Sequence, residues 1–290
     1  MSSMDACGDV LSCGRFRLDL SKPRIMAVVN LTPDSFSGDG FDRNLDGALA
    51  CAEAAVEAGA DMLDIGGESS RPGAEPVSEQ EELDRILPLL ERLVSWPVPI
   101  SVDTVKPAVM RAAIDAGASM INDINAFRAR TALEAVCDSE AALCVMHMRG
   151  QPRTMQHAPH YDDVVAEVRA FLAERTGVLR AAGVDDDRIV IDPGFGFGKT
   201  LEHNIALLRR MRELLELGFP VLAGLSRKSM LGAITGRPVD QRGVASVAAA
   251  MVAVDLGARI VRVHDVAATR DALAVWGAVY CTDCDDGLLS

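Results

Sequence analysis

The chain has 290 residues, with 29 basic and 42 acidic side chains and a net charge of −13. That balance argues against a nucleic-acid partner or an anionic membrane surface, and leaves room for an anionic ligand in a locally basic pocket. No run approaches the roughly 18–20 apolar residues of a membrane span, and Met1 to Val10 lacks the basic-then-apolar layout of a secretory signal. Hydrophobic residues make up 49% of the chain, which fits a soluble globular protein with ample chain for a core. Seven scattered cysteines without framework spacing read as reduced thiols, and so as a cytoplasmic protein.

Arg15 to Leu20 reads as a short strand or hairpin ahead of the main fold. A unit then recurs: an alanine-rich amphipathic helix ends at a glycine, and a short strand follows. Copies run through Gly59, Gly117 and Gly257, with looser ones through Gly183 and Gly218. Glycine just past a helix end accepts the left-handed conformation that other residues resist. Strands are predicted near Arg24–Asn30, Met62–Ile65, Pro99–Val102, Met120–Asp123, Ala142–His147, Ile189–Ile191, Val221–Ala223 and Arg259–Val263. Eight βα units over about 250 residues point to an α/β TIM (β/α)8 barrel with a short N-terminal hairpin, a doubly wound sheet being the alternative. No linker divides residues 1–280, which read as one domain. Residues 281–290 read as a disordered tail whose Cys281 and Cys284 have no partners for a metal site.

Barrel enzymes place their sites where the strands end. The strand exits here are Asn30, followed by Asp34 and Phe36; Ser69, Ser70, Arg71 and Pro72; Asp103; Asn122; His147 and Met148; Asp192; Gly224, Ser226, Arg227 and Lys228; and Arg262 and His264. Each has a dull reading: Asp103 could cap the next helix, Asn122 could be a satisfied polar group, and His147 could be a core histidine bonded to backbone. Their convergence on one rim is what stability alone does not require. Asp103, Asn122, Asp192 and Lys228 suit a flat heterocycle with mixed donors and acceptors. Arg71, Arg262, His264, Ser69 and Ser70 suit a phosphate or pyrophosphate. Asn30 and Asp34 supply hard oxygens for a Mg²⁺ that keeps several waters.

The stretch Asp192-Pro193-Gly194-Phe195-Gly196-Phe197-Gly198-Lys199 links a β-branched run to a helix that begins near Leu201. Its glycines let backbone approach a ligand closely, and its two phenylalanines offer flat faces. The alternative is a glycine-rich turn with phenylalanines packing below it. The spacing does not match a phosphate-binding P-loop.

In combination, Asn30-Leu31-Thr32-Pro33-Asp34-Ser35-Phe36-Ser37, Gly67 to Gly73, Ser101 to Thr104, Ile121 to Ile124, Met146-His147-Met148, Asp192 to Lys199, Ser226 to Ser229 and Arg262 to Asp265 resemble dihydropteroate synthase from about Arg15 to Val279. The resemblance implies a sulfonamide-target transferase that joins 6-hydroxymethyl-7,8-dihydropterin pyrophosphate to p-aminobenzoate, commonly as a homodimer. It places the pterin on Asp103, Asn122, Asp192 and Lys228, with Met148, Phe197 and Gly224 lining the slot and Arg262 stacked over the ring. It assigns the pyrophosphate and Mg²⁺ end to Asn30, Asp34, Ser70, Arg71, Arg262 and His264. It sets p-aminobenzoate beside Phe36, Arg71, Pro72, Ser226 and Lys228, and gives Asp103, Lys228, Arg262 and His264 the catalytic work. Two departures stand out: Ser70 where the family commonly has threonine, and Gly38-Asp39-Gly40 where members often have Asp-Gly-Gly. A pterin-dependent methyltransferase and an inactive pterin-binding relative are the competing readings. The first has no need for the Arg-x-His patch, and the second should have lost residues that are present here.

Overall fold

Eight short parallel strands close into a ring, each followed by helix, and an antiparallel hairpin precedes them. The structure is a computed structural model and describes residues 9–31, 41–69 and 73–280, with only the backbone of 41–44. The hairpin is β1 (Val10–Cys13) and β2 (Phe16–Asp19). The barrel strands are β3 (Arg24–Asn30), β4 (Met62–Gly66), β5 (Ile100–Asp103), β6 (Met120–Asp123), β7 (Ala142–Met146), β8 (Ile189–Asp192), β9 (Val221–Ala223) and β10 (Ala258–Val263). Outside them run α1 (Phe41–Glu57), α2 (Glu79–Leu93), α3 (Pro107–Asp115), α4 (Arg130–Val136), α5 (Val164–Ala181), α6 (Leu201–Arg209), α7 (Arg212–Leu215), α8 (Ser229–Thr235), α9 (Gly243–Asp255) and α10 (Val266–Tyr280). Strand pairing runs β3 to β10 in sequence order and closes β10 onto β3. This is the TIM barrel and excludes the doubly wound sheet. The hairpin starts earlier than Arg15, at Val10.

Strand side chains alternate between two surroundings, because successive residues point to opposite faces. Ile25, Ala27, Leu63, Ile65, Val102, Ile121, Ile189 and Ile191 belong to the core between sheet and helices. Met26, Met62, Met120, Cys144, Val190, Leu222 and Ile260 form a separate cluster with Leu11, Cys13 and Leu20. These fill the barrel interior, and the hairpin plugs its N-terminal end. Two residues further along five of these strands, in the same phase, stand Asp64, Asn122, Asp192, Gly224 and Arg262. The interior thus changes from apolar to charged within one layer of side chains.

Local signals place the helices after the strand exits. Pro107 opens α3 at a position where its missing N–H costs nothing. Asp103 does not cap α3; the cap residue is Lys106, without a side-chain bond. Thr200 caps α6 in a reciprocal box with His203.

Candidate active site

The loop after β8 is seated on the exit of β7. A Cβ on Gly194 would lie 1.9 Å from the His147 carbonyl oxygen, and one on Gly198 would lie 2.3 Å from that of Arg149. Both residues also have left-handed φ, so only glycine fits either position. Lys199 locks the loop from below. Its Nζ lies 2.8 Å from the Gly194 oxygen, 3.0 Å from that of Phe197 and 2.9 Å from His147 Nδ1. Burial holds this lysine well below the usual lysine range. Burial, and then the Lys199 charge, depress the His147 imidazole to about 2. A neutral His147 shares a hydrogen bond with Lys199. It is a core histidine, as one reading had it, and its ring also meets Lys199. Phe195 turns into the core, so only Phe197 of the two phenylalanines presents its ring at the mouth.

Asp192 at the end of β8 accepts the Gly194 N–H at 2.7 Å, while burial raises its carboxyl. A Cβ on Gly224 would stand 3.8 Å from Lys228 Nζ and 4.0 Å from Asp192 Oδ2, so that position lies between the two charges. Arg227 takes a left-handed φ of 59°, held by its N–H on Ser246 Oγ at 2.9 Å. Ser226 and Lys228, on either side of this turn, both line the mouth. Lys228 donates to the Phe195 carbonyl and lies 4.7 Å from the Phe197 ring centroid. Burial lowers its pKa to about 8; Asp192 and Asp103 oppose that shift, and Arg262 adds to it.

Arg262 crosses the mouth. Its Nε lies 2.6 Å from Asp64 Oδ2, and its Nη2 lies 3.1 Å from Asp103 Oδ2. Burial raises Asp103 to about 7; Arg262 opposes this, and the carboxylates of Asp64, Glu82 and Asp123 add to it. Asn122 Nδ2 reaches Asp64 Oδ2 at 3.4 Å. Asn122 Oδ1 and Asp64 Oδ1 are buried without a partner among the described residues. His264 Nδ1 lies 2.9 Å from Ser226 Oγ. Ile124, Met146, Met148 and Met155 form an apolar cluster with Val105 and Phe197 packed on it.

A cavity of about 430 Å³ brings together Asn30, Asp103, Phe197, Ser226, Lys228, Arg262 and His264. A larger one of about 680 Å³ shares Glu68, Ser69 and Asp103 with it, and extends over Ile124, Asn125 and Arg153. The first holds Arg227, Lys228 and Arg262. Asp34, Phe36, Ser70, Arg71, Pro72, Cys281 and Cys284 lie outside the described residues. Two residues that frame the site were missed in the sequence. Asp64 carried a readable signal: a carboxylate in phase with Met62 inside a buried strand. Lys199 carried only its place after the last glycine.

An apolar wall near carboxylates, an amide and two cations is built to grip a planar N–H-rich ring and an anion beside it. Residues 26–264 match the profile of the pterin binding enzymes, and barrel, wall and buried carboxylates define the chain as one of that class. Dihydropteroate synthase of Haemophilus influenzae is 52% identical over 265 residues, covering 90% of this chain and 95% of that protein. The Xanthomonas albilineans dihydropteroate synthase solved with 4-aminobenzoic acid is 53% identical and superposes with a TM-score of 0.89, over 94% of this chain and 98% of that one. The Yersinia pestis enzyme, solved as a sulfonamide drug complex, is 46% identical with a TM-score of 0.89, over 94% of this chain and all of that one (100%). The chain belongs to the dihydropteroate synthases. It is a transferase of folate biosynthesis that condenses 6-hydroxymethyl-7,8-dihydropterin pyrophosphate with p-aminobenzoate, giving 7,8-dihydropteroate and pyrophosphate.

Proposed function

We propose that the residues at the mouth divide the work of this reaction as follows. Asp192, Asn122 and Asp103 accept and donate along the edge of the pterin, while the wall of Met148, Ile124 and Phe197 covers its face. Lys228 supports the ring from the Asp192 side and reaches towards p-aminobenzoate with Ser226. Arg262 and His264, with Ser70 and Arg71 of the second loop, receive the pyrophosphate, and Phe36 and Pro72 border p-aminobenzoate. The C–O bond to pyrophosphate breaks first, with charge leaving towards these cations. The exocyclic methylene is then electron-poor, and an ionised Asp103 stabilises it. The aniline nitrogen forms the new C–N bond and gives up a proton to water. Positioning supplies much of the acceleration.

The observation that carries this reading is Arg262 and Asp103, paired with each other, beside Lys228 in one cavity, with Arg262 also bonded to the fully buried Asp64. The test is pyrophosphate release with and without p-aminobenzoate. Release that depends on p-aminobenzoate and yields dihydropteroate supports it. Pterin binding without turnover would leave the inactive-relative reading.

A Mg²⁺ is part of the proposal. Asn30 lines the cavity and Asp34 follows it by four residues, a hard-oxygen pair that substrate oxygens and water would complete. Among the described residues no group of three or more His, Cys, Asp or Glu could hold a metal ion. When bound, the ion would neutralise charge on the departing pyrophosphate. Asp34→Ala should spare pterin binding and alter the Mg²⁺ titration of turnover; an unchanged titration counts against this role.

A homodimer is proposed on α9, which carries no charged residue between Gly243 and Val254. A helix that is apolar all round belongs in an interior, yet Val244 is 87% exposed, with Val252 exposed eight residues on. A second copy would cover that face; a monomer by light scattering would contradict it. The cytoplasm is inferred from Cys13, Cys51, Cys137 and Cys144, none of them in a disulfide.

A further inference from the structure

Asp64 sits on β4, one layer below the rim, and is fully buried. At this depth a structural filler would be apolar, as Met62 is two residues earlier in the same phase. A buried carboxylate is costly unless paired. The pair here is Arg262, whose Nε lies 2.6 Å from Asp64 Oδ2. The same guanidinium reaches Asp103 through Nη2 at 3.1 Å. Arg262 is thus tied at two nitrogens, to β4 and to β5, and its plane is fixed across the mouth. Asp64 also receives Asn122 Nδ2 at 3.4 Å, so the tether reaches a third strand.

We propose that Asp64 is a positioning residue, one that orients Arg262 through this tether and sets the charge balance around Asp103 without itself touching the reacting atoms. The proposal rests on the assignment of Asp103 and Arg262 to the pterin and pyrophosphate ends. One cation is shared between two carboxylates. While Asp64 takes the Nε side, Asp103 keeps only a single Nη2 contact. The other charged groups around Asp103 are Glu82 on α2, Asp123 on β6 and Lys228 after β9. Lys106 already partners Glu82. Burial sets most of the Asp103 shift, and among its charged neighbours Arg262 and Asp64 weigh most. Removing the Asp64 charge gives Asp103 the whole guanidinium and takes away a neighbouring negative charge. Both changes favour ionised Asp103.

The test is Asp64→Asn, which keeps the volume and sheds the charge. Two readouts are followed: kcat/KM against pH, and calorimetric binding of 7,8-dihydropterin against pH. The expected result is a loss in kcat/KM on the order of 10–100-fold, with the acid limb displaced to lower pH by about one unit. Arg262→Gln removes the cation and should move the acid limb of pterin binding the other way, to higher pH. This second variant decides the matter if Asp64→Asn does not fold. A uniform loss across pH with an unmoved limb, or equal and same-direction shifts in both variants, would overturn the proposal. If the unmodified protein binds dihydropterin but makes no dihydropteroate, the synthase reading fails, and the binding limbs still decide the role of Asp64.

Discussion

The two ends of the barrel interior are made by the same strands and differ by a single step of two residues. At the N-terminal end, Met26, Met62, Met120, Cys144, Val190, Leu222 and Ile260 pack against Leu11, Cys13 and Leu20 of the hairpin segment, and water is excluded. At the C-terminal end, Asp64, Asp103, Asn122, Asp192, Lys228 and Arg262 crowd one opening, and two buried oxygens have no partner among the described residues. The lower end meets its packing needs within itself. The upper end buries charges close together, and burial first, then like-charged neighbours, raises Asp103 to about 7 and lowers Lys228 to about 8. Charges that raise each other's cost are retained where a ligand completes them. The lower layer supplies stability, and the upper layer uses part of it.

Substitutions can break this contrast. The largest activity effect is expected at Lys228→Ala, which removes the cation between Asp192 and the Phe197 face. We expect kcat/KM to fall roughly 10²–10³-fold with thermal stability retained; near-normal kcat/KM would remove Lys228 from the site. The reverse pattern is expected one layer down. Leu222→Ala should cost about 2–5 kcal/mol in denaturant unfolding and leave kcat near normal in the folded fraction. A specific loss of kcat there would mean that the two layers are not separable.

The pH dependence sharpens the contrast by smaller factors. In the proposed roles Asp103 works ionised, and that form is lost as pH falls through about 7. Lys228 must be protonated, and that form is lost as pH rises through about 8. The profile of kcat/KM should therefore be a narrow bell with its maximum between these values, falling up to about tenfold per pH unit on either side. A flat profile from pH 6 to 9 would contradict both assignments. The smallest effect is expected from Leu222→Met in the lower layer, a volume-conserving exchange that should cost under about 1.5 kcal/mol and leave the bell unmoved.

Much of this contrast is legible in the chain. The helix-ending glycines Gly59, Gly117, Gly183, Gly218 and Gly257 announce five of the barrel strands, and short apolar runs mark the other three, because both signals are local. The exits Asp103, Asn122, Asp192, Lys228, Arg262 and His264 are readable as a set, because in a parallel barrel every strand ends at the same rim. Asp64 was passed over because it lies mid-strand, where a carboxylate carries no local signature of its partner 198 residues away. Lys199 was passed over for a related reason: the carbonyls of Gly194 and Phe197 and the His147 ring converge on it only when β7 and β8 lie side by side.

The chain by itself determined the kind of elements, their order, the closed parallel barrel they imply and the chemistry gathered at the strand ends. These follow from residue type and spacing along a chain that repeats one unit. Tertiary structure alone decided which charges share a partner, which imidazole stays neutral and which phenylalanine faces the cavity. Those outcomes depend on distances between distant strands and on the water that closure of the barrel removes.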